Sequence, residues 1–117
     1  MVLNMKVDAE LEILLDLIRT TDVFMTNFPP CVLERLKIRY ENLAQANGRL
    51  IYVQVTGYGE NGDEIDKSVF DATAYWARTG LMDLVRTPSD EPGLSAAGMR
   101  DHRSAMAFFT GIVLALY

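Results

Sequence analysis

The sequence predicts an α/β fold: part of a doubly wound, Rossmann-like parallel sheet with crossover helices, ending in an apolar helix. Three observations predict this class. Short strand-type runs alternate with helical patterns along the 117 residues. The clearest run, RLIYVQV at residues 49–55, is almost continuously apolar, as in a strand buried on both faces. Residues 104–117 are apolar nearly throughout, which indicates a helix without a polar face.

The first predicted elements are a strand, a helix and a second strand. Residues 1–6, MVLNMK, alternate apolar with polar or small positions, as a strand does. Asp8 is then expected to cap a helix whose apolar positions follow helical spacing at Leu11, Leu14, Leu15 and Ile18. Residues 20–22 interrupt that helix, and residues 23–25, VFM, form a short apolar run typical of a strand.

The next predicted elements are short helices, a third strand and more helices. Pro29-Pro30 predicts a turn that leads into a helix, and a second helical piece ends at Asn47-Gly48. The strand at residues 49–55 is followed by a loop rich in glycine and acidic residues. Further helical patterns are then expected at residues 71–80 and 81–85. After a loop at residues 88–98, the final helix is expected to begin near Asp101. Three strands of this kind make half of a doubly wound sheet.

Composition excludes several classes of function. The net charge is −5 and Lys and Arg are not clustered, so no nucleic-acid partner is expected. The single cysteine, Cys31, rules out an internal disulfide and a cysteine-based zinc site. No secretory leader is visible, and the apolar tail is shorter than the roughly 20 residues that cross a bilayer. We therefore expect a cytoplasmic protein with no membrane partner.

Both chain ends are unusual for a complete α/β domain. A strand of buried type begins at residue 1, and an apolar helix ends at residue 117 with nothing following to cover it. Leaving that helix exposed would cost about 1.5–3 kcal/mol for each large apolar side chain. We therefore expect residues 1–117 to be a single partial α/β domain, a fragment of a longer protein or one that needs a partner.

Two polar residues stand where ligands could bind. Asp101 lies at the entrance of the last helix beside His102, the single histidine, but neighbouring helical residues point about 100° apart and need not act together. The plainer interpretation makes Asp101 the N-cap or first-turn acid of the helix. Asn27 follows the second strand, at the sheet edge where α/β proteins bind ligands, and could equally be a turn residue. The loop TGYGENGDE lacks the Lys-Ser/Thr of a phosphate loop and is better interpreted as a solvated turn.

Four blocks in order resemble the class III CoA-transferase family, which contains formyl-CoA transferase, carnitine CoA-transferase and the α-methylacyl-CoA racemases. TTDVFMTNFPPCVLERLKIRYENL resembles the family's Asp-Val-x-x-x-Asn-Phe-x-Pro-Gly stretch, and NGRLIYVQVTGYGENG its Leu-Ile-Tyr and Gly-Phe-Gly block. FDATAYWARTGLMDL resembles the helix that begins Tyr-Asp or His-Asp. GMRDHRSAMAFFTGIVLALY resembles the segment that carries the nucleophilic aspartate. The likeness covers essentially the whole chain, although family members are much longer.

The resemblance implies roles for three residues. Asp101 matches the aspartate whose carboxylate attacks an acyl-CoA thioester, so that covalent intermediates carry CoA to a small carboxylic acid. Asn27 matches an asparagine near CoA, and Arg35 matches an arginine that can contact a CoA phosphate. Coenzyme A, as acyl-CoA, is then a substrate, no metal is expected, and the complete protein is expected to be a homodimer.

Some positions depart from the family pattern. Pro29 and Cys31 stand in a turn that usually contains glycine, and Asp63 stands where proline is usual. Racemases have histidine before the aspartate that matches Asp71, but this sequence has Phe70. Transfer is therefore favoured over a racemase-like reaction on acyl-CoA, since racemisation needs two bases. A further alternative is a non-catalytic α/β remnant that acts only by self-association.

Overall fold

The structure is a computed structural model that describes residues 2–65, 67 and 69–117. The chain forms two compact units, Met1–Thr56 and Gly57–Tyr117. The expectation of one partial domain stays a prediction. The first unit contains α1 (Asp8–Ile18), β1 (Val23–Thr26), α2 (Pro30–Arg35), α3 (Tyr40–Leu43) and β2 (Ile51–Gln54). The second contains a π-helix (Asp71–Ala77), α4 (Leu81–Leu84) and α5 (Met99–Leu116).

The sheet of the first unit is parallel, as predicted, and among the described residues it has two strands. β1 pairs with β2 in a register that sets Val23 against Ile51 and Thr26 against Gln54. Because the strands are parallel, both end at the same edge of the sheet, immediately before Asn27 and Val55. The prediction that residues 49–55 form a strand buried on both faces is partly wrong: β2 is shorter, and its four residues are only half-buried. A sheet of two strands leaves one edge of β2 without a neighbouring strand.

The strand predicted at residues 1–6 is not formed, which corrects the sequence analysis; Met1 itself lies outside the described residues. Residues 2–4 are irregular and residues 5–6 form a turn. The Asn4 side chain accepts a hydrogen bond from the Lys6 backbone N–H at 3.3 Å. The Asn4 N–H donates to the Glu10 carboxylate at 2.5 Å. These local bonds replace the ladder bonds that a strand would make. Val7, rather than Asp8, is the N-cap of α1, and Asp8 lies in the first turn.

The core of the first unit is a cluster of aliphatic side chains from the helices and the segments that flank them. Its buried members are Ile18, Leu33, Leu36, Ile38, Leu43 and Leu50. One polar side chain helps to close this core. Asn47 donates to the carbonyls of Ile18 and Thr21 at 3.0 and 2.8 Å, and it accepts from the Arg49 N–H at 3.0 Å. Asn47 therefore connects the end of α1 to the segment that enters β2, beyond its predicted role as a helix stop.

Helix α2 ends in a turn that holds Lys37 in the left-handed region, at φ 57°. The Ile38 N–H donates to the Leu33 carbonyl and the Lys37 N–H to the Glu34 carbonyl, each at 3.0 Å. This is the Schellman pattern, which usually has glycine where Lys37 stands. Ile38 is fully buried and anchors the turn. The turn therefore directs a lysine outwards at a conformation that L-residues rarely adopt.

The second unit is organised around the helix predicted at residues 71–80. Its first part is the π-helix, in which the Arg78 N–H reaches the Thr73 carbonyl five residues back. Trp76 is buried, and its indole N–H donates to the Gly93 carbonyl at 2.8 Å, which attaches the predicted loop of residues 88–98 to this helix. A Cβ at Gly57 would overlap the Val69 side chain, so glycine is required there by close approach.

The last element, α5, begins two residues earlier than predicted, at Met99. Its N-cap is Gly98, whose φ of 73° lies in the left-handed region. Many apolar side chains of α5 are exposed, including Met106, Phe109 and Leu114. Within the described part of the chain, none of the helices combines the length and hydropathy needed to cross a membrane.

Candidate active site

Asp101 lies in the first turn of α5, whose N-cap is Gly98. Of the two structural roles predicted for Asp101, N-cap or first-turn acid, it therefore has the second. Its side chain is 69% exposed, which leaves the carboxylate accessible to a reactant. The Arg100 Nε lies 3.8 Å from the Asp101 Oδ1, and a second arginine follows at Arg103. An acidic side chain in the first turn stabilises a helix, because the partial positive charge of the helix N-terminus attracts it.

His102 makes its hydrogen bond with the backbone at the start of α5. Its Nδ1 lies 2.7 Å from the Gly98 carbonyl oxygen, four residues earlier in the chain. The imidazole is therefore engaged by the backbone at the start of α5, and the side chain is exposed. This agrees with its interpretation as a partly exposed polar residue.

Two side chains of the π-helix contact the first turn of α5. The Asp71 Oδ1 accepts a hydrogen bond from the Arg100 backbone N–H at 2.9 Å. Four residues along the same helix, the Tyr75 hydroxyl accepts a hydrogen bond from Arg103, whose guanidinium lies 5.6 Å from the ring centroid. Neither contact was predicted from the sequence, although Asp71 belongs to one of the blocks that carry the resemblance. Contacts between residues 28 or 29 positions apart leave no periodic signal in the sequence.

Arg35 lies in the first unit, where it lines a cleft of about 410 Å³. Lys6 and Lys37 line the same cleft, together with Asp8 and three apolar residues, Met5, Leu11 and Leu36. Three cationic side chains and one carboxylate give this cleft an excess of positive charge, which attracts anionic groups. The two lysines were not predicted from the sequence, because Lys6 falls in the strand that is not formed and the position of Lys37 depends on an unusual turn.

Asn27 lies directly after β1 and is exposed. The turn that contains it is held by the buried Thr26, whose Oγ1 accepts a hydrogen bond from the Phe28 N–H at 3.3 Å. Asn27 is not among the described residues that line the cleft with Arg35. A role for Asn27 near CoA stays a prediction.

The acidic residues of the glycine-rich loop are partly engaged within the second unit. Lys67 donates to Glu64 at 2.7 Å, and Arg78 donates to the same carboxylate. These bonds hold the pKa of the Glu64 carboxyl below its ordinary value, Lys67 having the larger effect. Arg78 also lies over the Tyr58 ring at 5.0 Å. The Glu64 carboxylate therefore connects the loop to Arg78 within the second unit.

Comparison with known proteins identifies the family. A family model described as CoA-transferase family III matches residues 1–117. The chain belongs to this family. It is 37% identical over 115 residues to the (R)-2-hydroxy-4-methylpentanoate CoA-transferase of Clostridioides difficile, covering 98% of this chain and 29% of that protein. It is 35% identical over 117 residues to the acetyl-CoA:oxalate CoA-transferase of Acetobacter aceti, covering 99% and 30%.

The fold agrees with this membership. The crystal structure of a CAIB/BAIF family protein from Brucella suis matches 97% of this chain and 30% of that protein, with a TM-score of 0.88 and 26% identity. The chain therefore spans about three tenths of the length of the curated relatives that it matches. No group of three or more His, Cys, Asp or Glu side chains that could hold a metal ion occurs within residues 2–65, 67 and 69–117.

Proposed function

We propose that the protein carrying this chain moves CoA from an acyl-CoA thioester to a small carboxylic acid, with Asp101 as the nucleophile. The observation that carries the proposal is an exposed carboxylate in the first turn of α5, in the block that resembles the family's nucleophile segment. The names of two relatives contain the carboxylic acids (R)-2-hydroxy-4-methylpentanoate and oxalate, which supports a carboxylic acid as acceptor. The complete protein is proposed to contain a larger doubly wound sheet and to form a homodimer.

The proposed reaction conserves the energy of the thioester by splitting one exchange into covalent steps. An Asp101 carboxylate oxygen attacks the acyl carbonyl carbon, the C–S bond breaks, and CoA leaves as thiolate. The thiolate attacks the resulting anhydride at the Asp101 carbonyl carbon, which releases the donor acid as carboxylate. The acceptor carboxylate then attacks the Asp101 thioester and displaces CoA thiolate. That thiolate attacks the acceptor's carbonyl carbon, giving the new acyl-CoA and the free Asp101 carboxylate.

The residues of the first unit are proposed to bind CoA. Arg35, with Lys6 and Lys37, would hold phosphate groups through charge-assisted hydrogen bonds, and Asn27 would lie near the same substrate. A racemase-like reaction is less well supported. Phe70 is the residue before Asp71, so no imidazole stands there as a second base. The remaining alternative, a non-catalytic remnant that self-associates, is supported by the exposed apolar side chains of α5.

The test uses the protein expressed from its complete reading frame. After incubation with an acyl-CoA and quenching with hydroxylamine, peptide mass spectrometry should find a hydroxamate on Asp101. Asp101→Asn should remove this adduct and lower the transfer rate by about 1,000-fold or more. The matched control is Asp63→Asn, which changes another exposed aspartate and should leave both signals intact. Normal transfer by the Asp101→Asn protein would refute the proposal, and self-association without any adduct would favour the non-catalytic alternative.

A further inference from the structure

The first residues of α5 form hydrogen bonds with groups outside this helix. The first N–H groups of any helix have no partner within that helix. Gly98, the N-cap of α5, has no side chain that could supply one. The Asp71 Oδ1 takes this role by accepting from the Arg100 N–H, the amide of the residue that precedes Asp101. The carboxylate of one helix thus fixes the peptide immediately before the proposed nucleophile.

A second attachment lies on the other side of Asp101. Tyr75 follows Asp71 by four residues, so both side chains project from one side of the π-helix. Tyr75 accepts a hydrogen bond from the Arg103 guanidinium, two residues after Asp101. The π-helix therefore holds the first turn of α5 both before and after Asp101, while the Asp101 carboxylate itself stays exposed.

Two buried polar atoms at this junction have no hydrogen-bond partner among the residues that the structure describes. Asp71 Oδ2 and Arg100 Nη1 are both inaccessible to solvent, and neither makes a hydrogen bond within the described residues. Buried polar groups are nearly always paired, so two exceptions at one junction need an explanation. Arg100 connects this junction to the proposed nucleophile, because its amide N–H donates to Asp71 and its Nε lies 3.8 Å from the Asp101 Oδ1.

We infer that Asp71 is a positioning residue for Asp101, an inference that rests on the proposed role of Asp101 as nucleophile. By accepting from the Arg100 N–H, Asp71 sets the orientation of the first turn and of the Arg100 guanidinium beside the Asp101 carboxylate. A nucleophile must approach the carbonyl carbon within a narrow range of geometry, and a misplacement of about 1 Å can lower a rate by about 100-fold. Loss of the Asp71 acceptor should therefore slow the chemical step without weakening the binding of acyl-CoA.

The test compares Asp71→Ala, Asp71→Asn and Thr73→Ala in the protein expressed from its complete reading frame. Asp71→Ala should lower kcat by about 10- to 100-fold and leave KM for acyl-CoA within about 2-fold. Asp71→Asn keeps a side-chain oxygen that can accept from the Arg100 N–H, so it should recover most of the rate. Thr73→Ala removes hydrogen bonds to Phe70 at the start of the same helix but not the bond to α5, and it should retain kcat.

The outcomes separate this inference from the proposed function. An Asp101 adduct that forms normally, together with an unchanged kcat in Asp71→Ala, would overturn the positioning role and leave the nucleophile intact. An equal loss of kcat in Asp71→Asn and Asp71→Ala would also overturn it, because the amide keeps the acceptor. If Asp71→Ala does not fold, the Arg100 amide resonance in Asp71→Asn decides. A shift and a kcat that both match the parent protein support the inference, as does a free-amide shift with a lowered kcat; a free-amide shift with the parent's kcat, or a hydrogen-bonded shift with a lowered kcat, overturns it. Full turnover by Asp101→Asn would instead refute the proposed function.

Discussion

Lys37 combines backbone strain with a position in the cationic cleft. A left-handed conformation costs an L-residue about 1–2 kcal/mol, and glycine would be the ordinary choice. The buried Ile38 and the two hydrogen bonds of the turn hold the backbone in this conformation. Strain of this kind is usually retained where the side chain has a function, and here the side chain shares a cleft with Arg35 and Lys6.

This arrangement predicts opposite effects of one substitution on stability and on binding. Lys37→Gly should raise the free energy of unfolding by about 0.5–1 kcal/mol, because relief of strain exceeds the entropy cost of glycine. The same change should weaken CoA binding by about 5- to 10-fold through loss of a charged contact. Denaturant unfolding and calorimetric titration with CoA measure the two quantities. Lys37→Ala removes the charge but keeps the strain, so it should share the weaker binding without the gain in stability; tight CoA binding by both variants would exclude Lys37 from the site.

At this scale, the sequence allowed some features to be predicted and not others. The first-turn location of Asp101 follows from local helix signals, which is why it could be predicted. The contact between Asp71 and the Arg100 amide joins residues 29 positions apart, and no local pattern encodes such a distance. The left-handed turn at Lys37 could not be predicted from the sequence, because glycine, which usually marks such a turn, is absent there.

Helices and strands with a strong local sequence pattern were predicted correctly, and those with a weak pattern were not. β1, α2, α3 and β2 were all predicted, because their apolar spacing and turn residues agree with the packing that the structure shows. The strand predicted at residues 1–6 failed because Asn4 makes local hydrogen bonds instead: its backbone N–H donates to the Glu10 carboxylate, and its side chain accepts from the Lys6 N–H. Its short apolar pattern fits a strand and a turn equally well. The i→i+5 bonds of the π-helix also left no trace in the sequence, since periodicity does not distinguish them from those of an α-helix.

The loop after β2 yields a prediction about packing. Gly57 lies against Val69 so closely that an added methyl group would overlap both methyl groups of the valine. Gly57→Ala should lower the free energy of unfolding by about 1–3 kcal/mol through overpacking, as measured by denaturant unfolding. Gly48→Ala is the matched control, because nothing lies within 4 Å of the added carbon there. The double variant Gly57→Ala/Val69→Ala should recover part of the loss; no recovery would assign the effect to the backbone instead.

For the whole molecule, the main feature is the contrast between its two compact units. The first has a closed aliphatic core, whereas in the second unit few described side chains are fully buried and none of these lies on α5. Met106, Phe109 and Leu114 are 67%, 63% and 73% exposed. Exposed apolar groups of this kind favour association, which both the proposed homodimer and the non-catalytic alternative require.

Self-association through α5 can be tested directly on the 117-residue chain. Phe109→Glu should raise the dissociation constant for self-association by about 10-fold or more, because a charge replaces a large apolar contact. Sedimentation equilibrium gives this constant. Thr110→Glu adds the same charge at an exposed polar position next to it and should change association much less. Equal effects of the two variants would show that association does not depend on the apolar side chains of α5.

The bond between the Trp76 indole and the Gly93 carbonyl has a practical consequence. Trp76 is the single tryptophan of the chain and is 6% exposed, so its intrinsic fluorescence comes from one dry, hydrogen-bonded environment. Release of residues 88–98, the segment that leads into α5, would wet the ring and move its emission to longer wavelength. In the 117-residue chain, the fluorescence of Trp76 therefore reports on the segment that leads to Asp101, and a stopped-flow instrument can follow it without any label.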